Sequence, residues 1–115
     1  MYFERGNENR IMILLHIASA DDGELASIAT LLLKEKLVAD VRIDTIRRLL
    51  LNDNGELEEV PRFLLICKTK SLLFNNIVDF IREKHSTNLP EIYALPLVSM
   101  ERSQEELIRS RTKAV

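Results

Sequence analysis

The 115-residue chain holds no tryptophan, one cysteine, three glycines and three prolines. Each scarcity removes a class of function. A lone thiol, Cys67, cannot close an internal disulfide, so no secreted disulfide scaffold is expected and the cytoplasm is the expected compartment. Three glycines cannot furnish a glycine-rich loop that cradles phosphates. No apolar run approaches the ~20 residues of a bilayer span, and residues 1–10 are polar and of mixed charge, unlike a signal segment. Neither sign of charge dominates: 16 Lys and Arg are interspersed with 18 Asp and Glu, for a net charge of -2. Without a basic stripe, nucleic acid is not an expected partner. The densest basic cluster, Arg109, Arg111 and Lys113, lies near the C-terminus, where it complements a helix dipole. Cys-x-x-Cys, His-Glu-x-x-His, P-loop and Gly-x-Ser-x-Gly patterns are all absent, and no Ser, His and acid share a triad-like spacing. The expectation is a binding protein and not an enzyme.

What is present is a globular balance of 46% hydrophobic and 30% charged residues, at a length that suits one domain over residues 1–115. Ile11 to Ile17 is a short apolar run that reads as a strand buried on both faces. Asp21 with Glu24 three residues later resembles a capping box, so a helix starts at Asp21 or Asp22. Leu25, Ile28, Ala29, Leu32 and Leu33 form its inward stripe, whereas Leu31 points away, toward a subunit contact or solvent. A strand follows from Val38 to about Leu51, and the broken alternation at Thr45 to Arg48 implies a bulge or bend. Asn52-Asp53-Asn54-Gly55 is a hairpin turn. The return strand runs from Leu57 toward Lys68, with Pro61 at an edge or bulge. A second helix spans about Ser71 to Lys84 with Leu73, Ile77, Phe80 and Ile81 inward and Phe74 beside them. Asn88-Leu89-Pro90 closes the connection to a strand over Ile92 to Val98, whose Pro96 again implies an edge. Ser103 and Glu106 form a capping box for a short last helix.

The order βαββαβ, with a long hairpin between the second and third strands and a short C-terminal helix, is an α+β fold of the ferredoxin-like, split βαβ type. Helices on one face leave the other face of the sheet bare, with residues such as Met12 and Leu14 on one set or its alternate. So large an apolar patch calls for self-association.

Few residues suit chemistry. His16 alternates with Met12 and Leu14 and reads as a packed core histidine. His85 follows the second helix, six residues before Glu91; it is a helix-end cap or a metal ligand, and two ligands do not close a site unless a second subunit adds others. Cys67, between Ile66 and Lys68, reads as a buried inert thiol and not a reactive or copper-binding one. Glu56, Glu58 and Glu59 read as a solvated face of the hairpin.

Several segments together resemble the CutA divalent-cation-tolerance proteins, across about Ile11 to Val98. Leu32-Leu33-Lys34-Glu35-Lys36-Leu37-Val38-Ala39-Asp40-Val41 is similar to that family's helix-to-strand stretch, and Leu65-Ile66-Cys67-Lys68-Thr69 to its apolar strand ending in lysine-threonine. The most specific match is His85-Ser86-Thr87-Asn88-Leu89-Pro90-Glu91-Ile92, followed by Ala94-Leu95-Pro96-Leu97. The resemblance implies a ferredoxin-like fold, a homotrimer whose hairpins reach neighbouring subunits, and a link to divalent-metal tolerance and copper binding. Carried over, His85 is the motif histidine, Glu91 the motif glutamate, and Lys68 the lysine after the third strand. The chain departs from the pattern at Asp40, where the family has its cysteine, at Ser86 and Thr87 for proline and tyrosine, at Asp53 for the hairpin tryptophan, and at Leu107 near a usual tryptophan. Losing the cysteine removes the soft ligand that copper(I) prefers.

Three functions are therefore expected in turn. The first is a cytoplasmic trimer that binds a divalent metal, copper or zinc, weakly through His85 and Glu91 between subunits. The second is a regulator resembling the PII signalling proteins, with Lys68 facing an anion in a ligand cleft. The third is a purely structural assembly module.

Overall fold

A computed structural model describes residues 11–85 and 89–115. Strand β1 (Met12–Ser19) leads to helix α1 (Asp22–Lys34), then β2 (Arg42–Leu51) and β3 (Leu57–Lys70). A single 3-10 turn (Ser71–Leu73) opens helix α2 (Phe74–Lys84), and β4 (Glu91–Leu97) and helix α3 (Arg102–Arg111) follow. The four strands form one sheet in the order β2-β3-β1-β4, with every neighbouring pair antiparallel. This is the expected α+β arrangement, with β3 inserted between the two strands that α1 connects.

Antiparallel partners point to the same face, so the register sorts the side chains. Ile13, Leu15 and Ile17 share one face with Leu65, Cys67, Ala94 and Ile92. The stripes of α1 (Leu25, Ile28, Ala29, Leu32) and α2 (Ile77, Ile81) close over this face to make the core. Thr69 is buried at its end, its Oγ1 donating to the Leu37 carbonyl at 2.6 Å. The other face carries Leu14, His16, Ile66, Lys68, Tyr93 and Leu95. It is bare except where the end of α3 meets it: Lys70, paired with Met12, sends its ammonium to the Lys113 carbonyl at 2.7 Å. The first strand is therefore half-covered, not buried on both sides: Leu14 and His16 remain partly exposed.

Local signals are placed as the sequence implies, with five exceptions. First, β2 begins at Arg42 and not Val38, which is instead buried in the core ahead of the strand. Asp21 caps α1, accepting from the Glu24 N–H at 3.2 Å, but the Asp21 N–H is taken by the Ser19 hydroxyl at 3.0 Å and not by Glu24. Leu33 is 41% exposed; at ~100° per residue it lies about 80° round the helix from Leu25, on the flank of the stripe. The bulge expected at Thr45 to Arg48 is absent, because pairing runs unbroken from Arg42↔Ile66 to Leu51↔Leu57. Beyond Ser19↔Phe63 the hairpin outruns β1, so no core there demands alternation. Finally, α3 is capped by Glu101 and not Ser103. The Glu101 carboxylate accepts from the Gln104 N–H at 3.1 Å, and Ser103 donates its hydroxyl to that carboxylate. A carboxylate answers the positive helix end better than a hydroxyl, and these bonds hold its pKa below the usual range.

Both prolines in strands sit where an N–H is not missed. Asn52 and Glu56 form a hydrogen-bonded pair, so by alternation Arg47↔Pro61 is a non-bonded one. Pro61 thus faces outward beyond the end of β1, and Pro96 lies in the edge strand β4. The turn joining β2 and β3 is closed by Gly55 at φ 78, with the Asn52 side chain accepting from the N–H groups of Asn54 and Glu56. The Cα radius of gyration is 15.9 Å, against about 13 Å for a compact chain of this length. The excess is the hairpin, which projects as an arm bearing Leu49, Leu51 and Leu57 in solvent.

Candidate functional site

The bare sheet face is where polar and apolar groups converge. His16 on β1 stands directly opposite Tyr93 on the edge strand and Ile66 on β3. Its Nδ1 lies 3.0 Å from the Tyr93 hydroxyl, with the rings tilted at 53°. Its Nε2 is buried and has no partner among the described residues. The reading of His16 as a packed histidine is thus half met: one nitrogen is satisfied and the other is an orphan. A buried polar atom left unpaired costs about 1–3 kcal/mol.

Beside His16 lies a cavity of about 460 Å³ that also touches Leu14, Asp40, Arg42, Ile66 and Lys68. A second, of about 290 Å³, runs between this face and α3, where Gln104, Leu107 and Arg111 meet the same Asp40 and Lys68. Lys68 therefore stands at the junction of two cavities. Arg42 is held by Asp44, Nε to Oδ2 at 3.0 Å, but the side chains of Asp40, Lys68 and Arg111 make no hydrogen bond or ion pair among the described residues.

His85 and Glu91 occupy a different region. His85 caps α2, its backbone N–H donating to the Ile81 carbonyl at 2.9 Å. Glu91 opens β4 beside Ala18 and lines a third cavity, of about 300 Å³, with Asp21, Glu24 and Arg62. Its carboxylate is ion-paired with Arg48 of the hairpin. Residues 86–88, between His85 and Leu89, lie outside the described residues, as do residues 1–10. No group of three or more His, Cys, Asp or Glu side chains that could hold a metal forms among the described residues. Of the two expected ligands, Glu91 is engaged by an arginine and His85 does not line the cavity that Glu91 lines, so no site that could close round a cation forms among the described residues of one chain. Cys67 is no ligand here. It is buried in the core, and desolvation, followed by the charge of Asp40, pushes its thiol up to about 12.

Sequence reasoning singled out Lys68 but missed Arg42, Tyr93, Gln104 and Arg111. Tyr93 and Arg42 were available from period-two alternation once the register was known. Gln104 and Arg111 depend on how α3 docks, for which no local signal exists.

A model of the CutA1 divalent ion tolerance protein family matches residues 13–111. Among solved structures, the divalent cation tolerance protein CutA of Archaeoglobus fulgidus, described as periplasmic, is 27% identical, with a TM-score of 0.76 over 89% of this chain and 99% of that one. The divalent cation tolerance protein of Thermus thermophilus is 26% identical, with a TM-score of 0.75 over 89% and 99%. CutA1 of Oryza sativa shares the fold at 22% identity, with a TM-score of 0.79 over 94% and 99%. No curated protein matches the chain by sequence.

Proposed function

The chain belongs to the CutA1 divalent ion tolerance family, and from that premise we propose that it is a non-enzymatic homotrimer that binds copper or zinc weakly between subunits, through His85 and Glu91. The observation that carries the reading is the family match over residues 13–111, which spans nearly every described element. Two features of the chain support it. The bare face keeps Tyr93 and Leu95 each 46% exposed, and the hairpin arm carries further exposed leucines; neighbouring copies would remove this surface from water. The shortage of ligands in one chain argues for a shared site, because a second copy and water can supply the rest. Weakness follows from the donors: the family cysteine is Asp40, Cys67 is held as a neutral thiol, and an incoming ion must draw Glu91 from Arg48.

The test is calorimetric titration of metal-free protein with copper and with zinc, beside His85→Ala and Glu91→Gln. Saturable heat near one ion per chain, lost in either variant, supports the assignment. Heats unchanged by both substitutions remove it.

A second reading is a regulator that holds a small molecule in the cleft around Lys68, as the PII signalling proteins do between subunits. What favours it is Lys68 itself, unpaired and lining two adjoining cavities. A thermal-shift screen of nucleotides and small organic anions that yields no Lys68-dependent shift would count against it.

A further inference from the structure

We propose that the groove formed by the two adjoining cavities on the bare sheet face binds a small zwitterion of the α-amino-acid class. This rests on the second reading above and names its ligand. The groove carries unpaired charge of both signs: the Lys68 ammonium and Arg111 guanidinium, and the Asp40 carboxylate, with Lys68 and Asp40 common to both cavities. Lys68 and Asp40 face the same space without forming an ion pair. A ligand that carries a carboxylate and an ammonium a few bonds apart can meet both at once; a simple anion would meet Asp40 as a like charge.

The rest of the lining fits the body of such a molecule. Leu14 and Ile66, diagonal neighbours across β1 and β3, supply an apolar wall in the larger cavity. His16 also lines the larger cavity. The volume, about 460 Å³ in the larger cavity, lies in the range of small-molecule sites. The zwitterion's carboxylate sits toward Lys68 and Arg111, its ammonium toward Asp40, and its side chain over Leu14 and Ile66. The groove lies toward the β2-β3 side of the bare face, where Lys68 and Asp40 are exposed, whereas Tyr93 and Leu95 lie on the opposite edge strand; the assembly must therefore cover the β4 side and leave the groove open. The candidate metal residues His85 and Glu91 take no part.

Three probes separate the charges: L-leucine, N-acetyl-L-leucine, which lacks the ammonium, and L-leucinamide, which lacks the carboxylate. Each is titrated into the full chain by calorimetry, with the solution mass of every sample recorded. L-leucine is expected to bind saturably and up to about fivefold more tightly than either analogue, the size of one exposed charge contact. Asp40→Asn erases the advantage over N-acetyl-L-leucine, and Lys68→Met erases the advantage over L-leucinamide. His85→Ala leaves all three unchanged. Both altered groove residues are exposed, so the variants keep the fold. N-acetyl-L-leucine binding as tightly as L-leucine, in a Lys68-dependent way, overturns the zwitterion while the small-molecule reading stands. Absence of saturable binding by any probe to folded, assembled protein overturns the proposal, and the thermal-shift screen then decides the wider reading on its own.

Discussion

Cys67 lies between two exposable neighbours in a strand, yet its own side chain is in the core. Ile66 and Lys68 point to the bare face, and Cys67 points with Leu15 and Ala94 toward the helices. That placement is legible in the sequence, since strand alternation and a single thiol are both sequence properties. Its energetic consequence is not legible there, because it depends on how dry the site is. Burial first, and the nearby Asp40 carboxylate second, raise the thiol from 9.0 to about 12. In the unfolded chain the thiol loses its proton near 9; in the folded chain it keeps it. The folded state therefore binds more protons between about pH 9 and 12, and stability falls across that window by up to ~1.4 kcal/mol per pH unit. Cys67→Ala removes this contribution while lowering stability at neutral pH by leaving a small cavity. Chemical denaturation of both proteins at about pH 8, 9.5 and 10.5 measures the difference in slope. Parallel pH profiles would show that the thiol is not desolvated as described.

Elements succeed or fail as sequence readings mostly according to whether their determinants are local. The hairpin turn is local. Asn52 and Gly55 sit where the sequence puts them, because a positive φ at Gly55 and the Asn52 side-chain bonds need nothing from the rest of the chain. The end of α1 is equally local but easily missed. Lys36 adopts φ 56, its N–H reaching the Leu33 carbonyl at 3.1 Å and the next N–H, of Leu37, reaching Leu32 at 3.0 Å. These are the two bonds of a Schellman motif, a position that favours glycine. Lys36→Gly should raise stability by about 1 kcal/mol, because a left-handed conformation strains any residue with a Cβ. Gly55→Ala, at φ 78 with open space around its Cα, should lower it by a similar amount for the same reason. Urea midpoints of the two variants should move in opposite directions, and a shared direction would contradict the conformational account. The bulge at Thr45 to Arg48 failed for want of distant information, because nothing nearby in sequence says that the arm leaves the core behind. The cap at Ser103 failed although its determinant is local: Glu101, two residues earlier, competes for the start of α3 and its carboxylate wins.

At the scale of the whole molecule, what a single chain leaves unfinished matters most. Two apolar surfaces stay in water: the bare sheet face with Tyr93 and Leu95, and the arm with Leu51 and Leu57, 67% and 69% exposed. Nothing within the described chain covers either one. The arm also leans back over the sheet. Arg48 and Glu91 belong to strands at opposite edges of the sheet, at least three strand spacings or about 14 Å apart in a flat sheet, so their ion pair requires the sheet to coil toward its bare face. A coiled sheet with an apolar concave side and a protruding apolar arm suits closed association, in which each copy offers both a groove and an arm. On the trimer proposed above, the chain is expected to sediment at three times its 13.3 kDa mass. Leu95→Glu places a charge at an exposed edge-strand position, where it costs the isolated chain little but is left desolvated and unpaired in an interface. That variant should keep the circular dichroism of the parent and fall to monomer mass at micromolar concentration, and its zinc binding should fall with it if His85 and Glu91 depend on a neighbouring copy. A parent protein that is already monomeric would remove the shared-site account of metal binding, whereas a trimer that survives Leu95→Glu would move the interface from the sheet face to the arm.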